Sequence, residues 1–530
     1  MTHRAPSGKN AGSQRPCSSR NFVVGFALCA VATACSAGHG DSSPGSAKTG
    51  NLHASGGKAP SGRTFSVAAE NRAPGTQGWR VTRTGGQQAI EGWADQTGVV
   101  TGGTVTLHVS TTAATYTVHA IRMGWYGGLE GREVWTSGPQ PGVERQPFVI
   151  DPTRHTVVTN WPVSMTQSTA GWPPGSYLLR LDSSTGQRYV PLQVRRPTSQ
   201  GSTVIVSADT TWQAYNRYGG YSLYNGSNGA FSTRARAVSF DRPYGLDPGQ
   251  GQSEYLENEQ PLVALAERQG LDVNYVSDVD LDVDPQLLRG ARSVVLTGHD
   301  EYWSSNMRNA LLAFRDGGGN LGLLGANLGY RHIRFESAAG RLDRTEVCYK
   351  VPSEDPLNGT DNAAVTGQWR YPPDPRPESV ITGVFYQSNP VEADMVVTDP
   401  AAWMLQGTNA SAGMHLKALV KPEYDRVDLR VPTPRPMQVV THSPLTVHGS
   451  ADFSDSAYYT TPSGAGVFAV GTIGWINSLQ GTNGPEAQAF TTKVTTNVLM
   501  AFAAGPAGRV HPAQDNVARF YRPSPTGARG

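Results

Sequence analysis

An antiparallel β-sandwich followed by an α/β unit on a parallel sheet is the fold class this sequence predicts, and two observations predict it. From Phe65 to Val194 short runs alternate apolar and polar residues, with turn signals about every ten residues, the spacing of half-buried strands. After Ser202 the runs become continuously apolar and alternate with helix-like segments. That is the pattern of strands covered on both faces in a three-layer arrangement. A chain of 530 residues exceeds one ordinary core and agrees with two units.

The sandwich is expected over residues 65–196. Its alternating runs include Val105-Thr106-Leu107-His108-Val109, Tyr116-Thr117-Val118-His119-Ala120 and Tyr177-Leu178-Leu179-Arg180-Leu181. No helical stripe interrupts them, and Trp172-Pro173-Pro174-Gly175 is a turn feeding an outer strand. A linker at 197–201 closes the unit.

The α/β unit is expected over residues 201–505. Strands are predicted at 204–206, 273–276, 293–296, 321–324, 466–470 and 472–476. Helices are predicted at 262–269, stopped by Gly270, at 284–290, from a cap at Ser304 or Ser305 through Phe314, and at 491–504. Residues 339–456 are Pro-rich and irregular, and read as an insertion resembling a lid. Residues 506–530 read as a loosely held tail.

The N-terminus reads as a targeting segment. Arg4, Lys9, Arg15 and Arg20 precede an apolar run at 22–34, and Cys35 follows. This is a secretory leader of residues 1–34. The run has 13 residues, short of the roughly 20 needed to span a membrane. Ala32-Thr33-Ala34-Cys35 resembles a lipobox, which would make Cys35 a lipid anchor; the other reading is an ordinary cleaved leader with an incidental cysteine. The Gly- and Ser-rich residues 35–64 read as a flexible tether. The expected location is therefore exported, either lipid-anchored at the cell membrane or extracellular. Of the four cysteines, Cys17, Cys29 and Cys35 lie in the first 35 residues, so Cys348 stands alone and a disulfide framework in the folded body is excluded. A net charge of +2 gives no reason to expect a nucleic-acid partner.

Open α/β sheets bind ligands beyond the carboxyl ends of their strands. That rule selects residues 209–226, Gly298-His299-Asp300-Glu301-Tyr302-Trp303-Ser304, and Gly325-Ala326-Asn327. In the first segment Tyr215, Tyr218, Tyr221 and Tyr224 recur every third residue. They suit aromatic packing or a sugar-stacking surface. They also suit a hard, acidic cation such as ferric iron, which strips a phenol whose pKa is near 10. In the second segment His299 and Glu301 are two apart, so an extended chain points both the same way. They suit a metal ligand with a proton shuttle, or else the acidic pair caps the following helix. Zinc, phosphate-loop and nucleophile-elbow motifs are absent from the sequence. Cys348 lies off any strand-to-helix turn and has no assignable base, which disfavours it as a nucleophile.

These segments, with Arg122-Met-Gly-Trp-Tyr-Gly-Gly-Leu129 in the sandwich and residues 317–327, resemble the N,N-dimethylformamidase large (beta) subunit family over about residues 80–504. The resemblance implies an immunoglobulin-like sandwich and an α/β domain like the class I glutamine amidotransferases and trehalose-utilisation proteins, without a catalytic cysteine. It implies a mononuclear Fe³⁺ site with Tyr215, Tyr224 and Glu301 as ligands, His299 as the neighbouring imidazole and Asn327 as a substrate-orienting amide. The stretch from Tyr215 to Tyr224 is shorter than the family pattern, so Tyr218 and Tyr221 stay open as second ligand. Glu336 and Glu257 stand as guesses for a proton donor. The expected activity is hydrolysis of an amide-type C–N bond in a small substrate. The alternative is a non-catalytic cell-surface protein that binds carbohydrate or peptide. A glycan-cleaving pair of Asp300 and Glu301 is disfavoured, because adjacent residues on an extended chain point apart.

Overall fold

The computed structural model describes residues 65–246, 251–338 and 340–521. The expected leader, Cys35 and the tether lie outside the described residues.

The first strands form two facing sheets. Ile90–Ala94, Thr104–Thr111 and Met165–Ser168 make one; Gly98–Val100, Gln187–Arg195, Gly175–Ser183, Thr115–Met123 and Gly131–Thr136 make the other. The alternation explains the core between them: Val105, Leu107 and Val109 meet Val118, Ala120, Leu179 and Leu181. Pairing is antiparallel except for Gly98–Val100, which runs parallel to Gln187–Arg195.

The outer face of this sandwich is buried as well. Ile121, Met123 and Leu178 pack with Leu262, Val263 and Ala266 of the helix Gln260–Arg268. Within that contact the Arg122 guanidinium donates to both carboxylate oxygens of Glu267, at 2.5 and 3.0 Å, with neither side chain exposed. Gly124 is required there, since a Cβ would lie 2.2 Å from Glu267 Oε2.

The second unit is built on seven strands in the spatial order Val273–Ser277, Thr203–Ser207, Ser293–Leu296, Asn320–Leu323, Gly466–Ala469, Ser450–Thr460, Met437–Val447. The first five are parallel and the last two antiparallel. Period two sorts the faces. Val204, Val206, Val294 and Leu296 point to the helix Ser305–Asp316; Ile205 and Val295 point to the helices Gln260–Arg268 and Pro485–Ala504. Ser304 is the cap of the Ser305–Asp316 helix, its Oγ accepting from the Met307 amide at 3.2 Å.

Three expectations are corrected. Residues 339–456 are not an irregular excursion: Arg341–Val347 belongs to a second sheet, and Met437–Val447 completes the central one. Prolines between these strands masked their period. The predicted strand at 472–476 is instead the start of a short helix, Gly474–Ser478, because a continuous apolar run does not distinguish the two states. The tail is docked through Tyr521: Val517 is fully buried, and the Tyr521 hydroxyl donates to Asp455. Residues 522–530 lie outside the described residues. No helix among the described residues is long and apolar enough to cross a membrane.

Candidate functional site

The strand Thr203–Ser207 sits between Val273–Ser277 on one side and Ser293–Leu296 on the other. Chain connections leave it in opposite directions here, and such a switch point opens a crevice at the carboxyl ends. The helix Asp209–Tyr215 starts directly beyond the central strand. Thr210 Oγ1 donates to the Tyr302 carbonyl at 2.9 Å, and Thr211 Oγ1 accepts from the Glu301 amide at 2.9 Å. These bonds hold residues 301–302 against the helix. Gly298 and Gly325 abut at adjacent strand ends, where a Cβ on Gly325 would lie 2.0 Å from the Gly298 carbonyl oxygen.

After Tyr215 the chain wraps around a buried cation. Arg242 donates to the carbonyls of Gln213, Asn216, Tyr218 and Tyr221 at 3.1 to 3.3 Å. The loop therefore closes within a few residues and returns Tyr224 to Tyr215, their ring centroids 4.5 Å apart. Sequence reading missed Arg242, since a lone arginine in a loop carries no pattern.

Both phenols converge on one carboxylate. Tyr215 donates to Glu301 Oε2 at 2.8 Å, and Tyr224 lies 2.8 and 3.0 Å from the two Glu301 oxygens. Arg331 Nε donates to Glu301 Oε1 at 3.1 Å. Burial alone would raise the Glu301 carboxyl, but His299, Lys350 and Arg331 hold it far below the usual carboxylate range. Burial, and then the Glu301 charge, push the Tyr215 and Tyr224 phenols well above 10. His299 stands between two carboxylates, with Nδ1 3.7 Å from Glu254 and Nε2 3.7 Å from Glu301. Burial disfavours its charge, yet Glu254 and Glu301 outweigh that and raise it.

Tyr218 and Tyr221 face elsewhere. The Tyr218 hydroxyl donates to Glu91 at 3.2 Å, and Tyr221 donates to Ser227 at 3.2 Å. Three of the four rings lie inside the protein or at the Glu301 cluster, so this segment presents no row of exposed rings for stacking.

Asn327 Nδ2 donates to Glu423 Oε2 at 2.7 Å, and Asn389 Nδ2 to Glu423 Oε1 at 2.7 Å. Glu423 is a further buried carboxylate at the crevice, which sequence reading did not single out. Lys421-Pro422-Glu423 follows no motif, and tertiary folding alone brings it to the crevice. Neither guess fits that place as well: Glu336 pairs with Arg154 at 2.8 Å, away from the Glu301 cluster, and Glu257 is on the rim. Lys350 was also missed. It contacts the Tyr302 hydroxyl, its Nζ lies 3.4 Å from the Tyr224 ring centroid, and burial with Arg331 nearby lowers its pKa to about 7. Asn327 and Lys350 both adopt left-handed backbone, at φ 60° and 61°. Non-glycine residues hold such angles where the surroundings enforce them, commonly at functional sites.

A cavity of about 420 Å³ opens onto this cluster, with Tyr215, His299 and Glu423 in its wall. A larger groove of about 1010 Å³ at the sandwich junction holds no comparable convergence of carboxylates and phenols. Cys348 is fully buried, and burial raises its thiol pKa.

Behind the site lie Asp209, Asp278 and Asp300, all nearly inaccessible. Asp300 accepts from Trp303 Nε1 at 2.9 Å. Burial raises Asp209 and Asp300 from 3.8 to about 7, the Asp280 charge adding to the rise at Asp209. A raised carboxyl makes the folded state hold protons that the unfolded chain has released. Its stabilising contribution is complete below about pH 4 and is lost as pH rises through about 7. Urea unfolding is expected to show lower stability at about pH 8 than at about pH 5, with a slope of up to ~1.4 kcal/mol per pH unit per group. Asp300→Asn should flatten that slope; stability that climbs from pH 5 to pH 8 would contradict the assignment.

Two phenols, a carboxylate and an imidazole form a buried polar centre at the switch point of a covered α/β sheet. Among the described residues no three His, Cys, Asp or Glu side chains cluster as a metal cage, so any cation here would depend on the tyrosines. The family model for the N,N-dimethylformamidase beta subunit-like C-terminal region matches residues 117–488, and the chain belongs to that family. The match begins in the sandwich strand Thr115–Met123 and ends inside the helix Pro485–Ala504. No curated protein matches the chain.

Proposed function

We propose that this chain is an exported hydrolase of amide C–N bonds, with a centre for one ferric ion at Tyr215, Tyr224 and Glu301. The observation that carries the reading is the meeting of both phenol oxygens with one carboxylate within 3.0 Å. Three hard oxygen donors suit a hard trivalent cation, and their three charges neutralise it. When bound, such an ion supplies Lewis acidity toward an amide carbonyl and toward water.

The chain's own groups do the rest. His299, held toward its charged form between Glu254 and Glu301, relays the proton: it passes one to Glu254 as it takes the one that a water releases on attacking the acyl carbon. Burial raises the Glu423 carboxyl against the pull of His299, which suits it to hold a proton for the departing nitrogen. Asn327 and Asn389 fix its orientation. The C–N bond breaks as the C–O bond forms, and the products are a carboxylic acid and an amine. Arg331 and Lys350 keep negative charge favourable at Glu301 and around the phenols.

The sequence of residues 1–35 supports an exported protein, either lipid-anchored at Cys35 or extracellular. The central strand order supports a glutamine-amidotransferase-like body, and the two facing sheets an immunoglobulin-like sandwich. Metal analysis with an absorption spectrum tests the reading on protein without residues 1–34. The expected result is about one iron per chain and a visible tyrosinate-to-iron band, both lost in Tyr224→Phe. A colourless protein that stays metal-free after iron reconstitution would sink the iron centre.

A further inference from the structure

We propose that the amide handled by this centre carries a positive charge at its far end, read by Glu257 and Glu392 at the mouth of the cavity. The inference rests on the hydrolase reading above and adds the substrate class.

The cavity wall contains Glu254, Glu257, Glu392 and Glu423 against a single lysine, Lys421. Even with Lys421 and His299 both charged and Glu423 holding a proton, the other three carboxylates leave the wall negative. Glu254, Glu257 and Asn258 stand at i, i+3 and i+4 of the helix Gln252–Asn258, so one helix face supplies them. The inner pair is already engaged: Glu254 accepts from Asn258 Nδ2 at 2.7 Å, and Glu423 from two asparagines. The outer pair is not. Glu257 and Glu392 are exposed, and neither forms an ion pair among the described residues. Burial first, and then the Glu254 charge, raises the Glu257 carboxyl.

A second observation points to a ligand at the same place. His299 is 7% exposed and lines the cavity, and its Nε2, 3.7 Å from the Glu301 carboxylate, makes no hydrogen bond. A buried donor or acceptor left unmade costs free energy that a bound polar atom recovers. An amide group at that depth leaves the rest of a small substrate in the volume below the rim. A neutral alkyl tail would leave both rim carboxylates unused, whereas an ammonium group would meet them. The same negative wall repels the carboxylate product, which favours its release.

The test is calorimetric binding to the full chain of two probes of nearly equal shape, N-(4-aminobutyl)acetamide and neutral N-butylacetamide. The cationic probe is expected to bind at least about tenfold more tightly. In the doubly substituted Glu257→Gln, Glu392→Gln protein the preference should drop below ~3-fold, and high salt should weaken it. Both rim positions are exposed, so these variants are expected to fold. Equal affinities in the unaltered protein, no binding of either probe, or a preference that survives the double substitution would each overturn the proposal. Hydrolysis assays on the same probes separate the two readings. Hydrolysis without charge preference keeps the amidohydrolase and rejects the cationic substrate. Charge-dependent binding with neither probe cleaved supports the cation-reading rim and counts against the hydrolase.

Discussion

Replacing Glu301 by glutamine is expected to abolish both iron binding and amide hydrolysis. Glu301 is 1% exposed and receives Tyr215, Tyr224 and Arg331 at 2.8 to 3.1 Å. Glutamine keeps the shape but removes the charge, and its amide nitrogen meets donors where an acceptor stood. Two phenols without the carboxylate have no third anionic donor to balance a trivalent ion. The loss of hydrolysis should exceed the ~10–100-fold penalty typical of removing an outer partner of a metal ligand. Arg331 is left in a buried setting without its carboxylate, so the melting temperature should fall as well. Glu301→Asp, which keeps the charge on a shorter arm, should recover part of the metal. Iron content, hydrolysis rate and thermal unfolding check the three effects. Full iron occupancy in Glu301→Gln would remove Glu301 from the proposed centre.

The largest effect on folding is expected from Arg122→Met. Arg122 is fully buried and bonds Glu267 twice, the Pro174 carbonyl at 2.9 Å and the Tyr126 hydroxyl at 2.8 Å. Glu267 in turn accepts from Tyr275 at 2.6 Å and Asn71 at 3.0 Å. Removing the cation leaves a buried carboxylate uncompensated, a loss of about 3–5 kcal/mol. The double variant Arg122→Met, Glu267→Gln should be less destabilised than the sum of its parts, because the lone charge is then gone. Urea unfolding of the four proteins measures the coupling; additive effects would mean that the pair does not hold the sandwich against the helix Gln260–Arg268.

That pair gives a physical reason for the phrase at residues 122–129. The sequence marks it as unusual, and the structure shows why it is so. Arg122 reaches Glu267, Gly124 leaves room for that carboxylate, and Tyr126 to Gly128 turn the chain through positive φ. No sequence period could reveal a partner 145 residues away.

Local pattern alone determined much of the scaffold. Period two in Val105 to Val109 and Tyr116 to Ala120 is a statement about one strand's two faces, and it needs no partner to be read. The covered strands at Val204, Val294 and Leu321 were legible for the same reason, as was the Ser304 cap. So was the convergence of residues 209–226, 298–304 and 325–327, because the carboxyl ends of parallel strands must share one edge of the sheet, whereas the choice of Tyr215 and Tyr224 among four tyrosines came from the family resemblance. What only the tertiary structure decided depends on contacts between distant residues. Arg242 closes the loop on four carbonyls, which brings Tyr224, and not Tyr218 or Tyr221, to Glu301. Glu423 and Lys350 come from the stretch that read as irregular, and folding brings them to Asn327 and Tyr302. The strands Met437–Val447 and Ser450–Thr460 on either side of Gly449 read as irregular, and their pairing restores them to the sheet. A strand's faces are written in its own residues, whereas the neighbours of a buried charge are chosen by the whole chain.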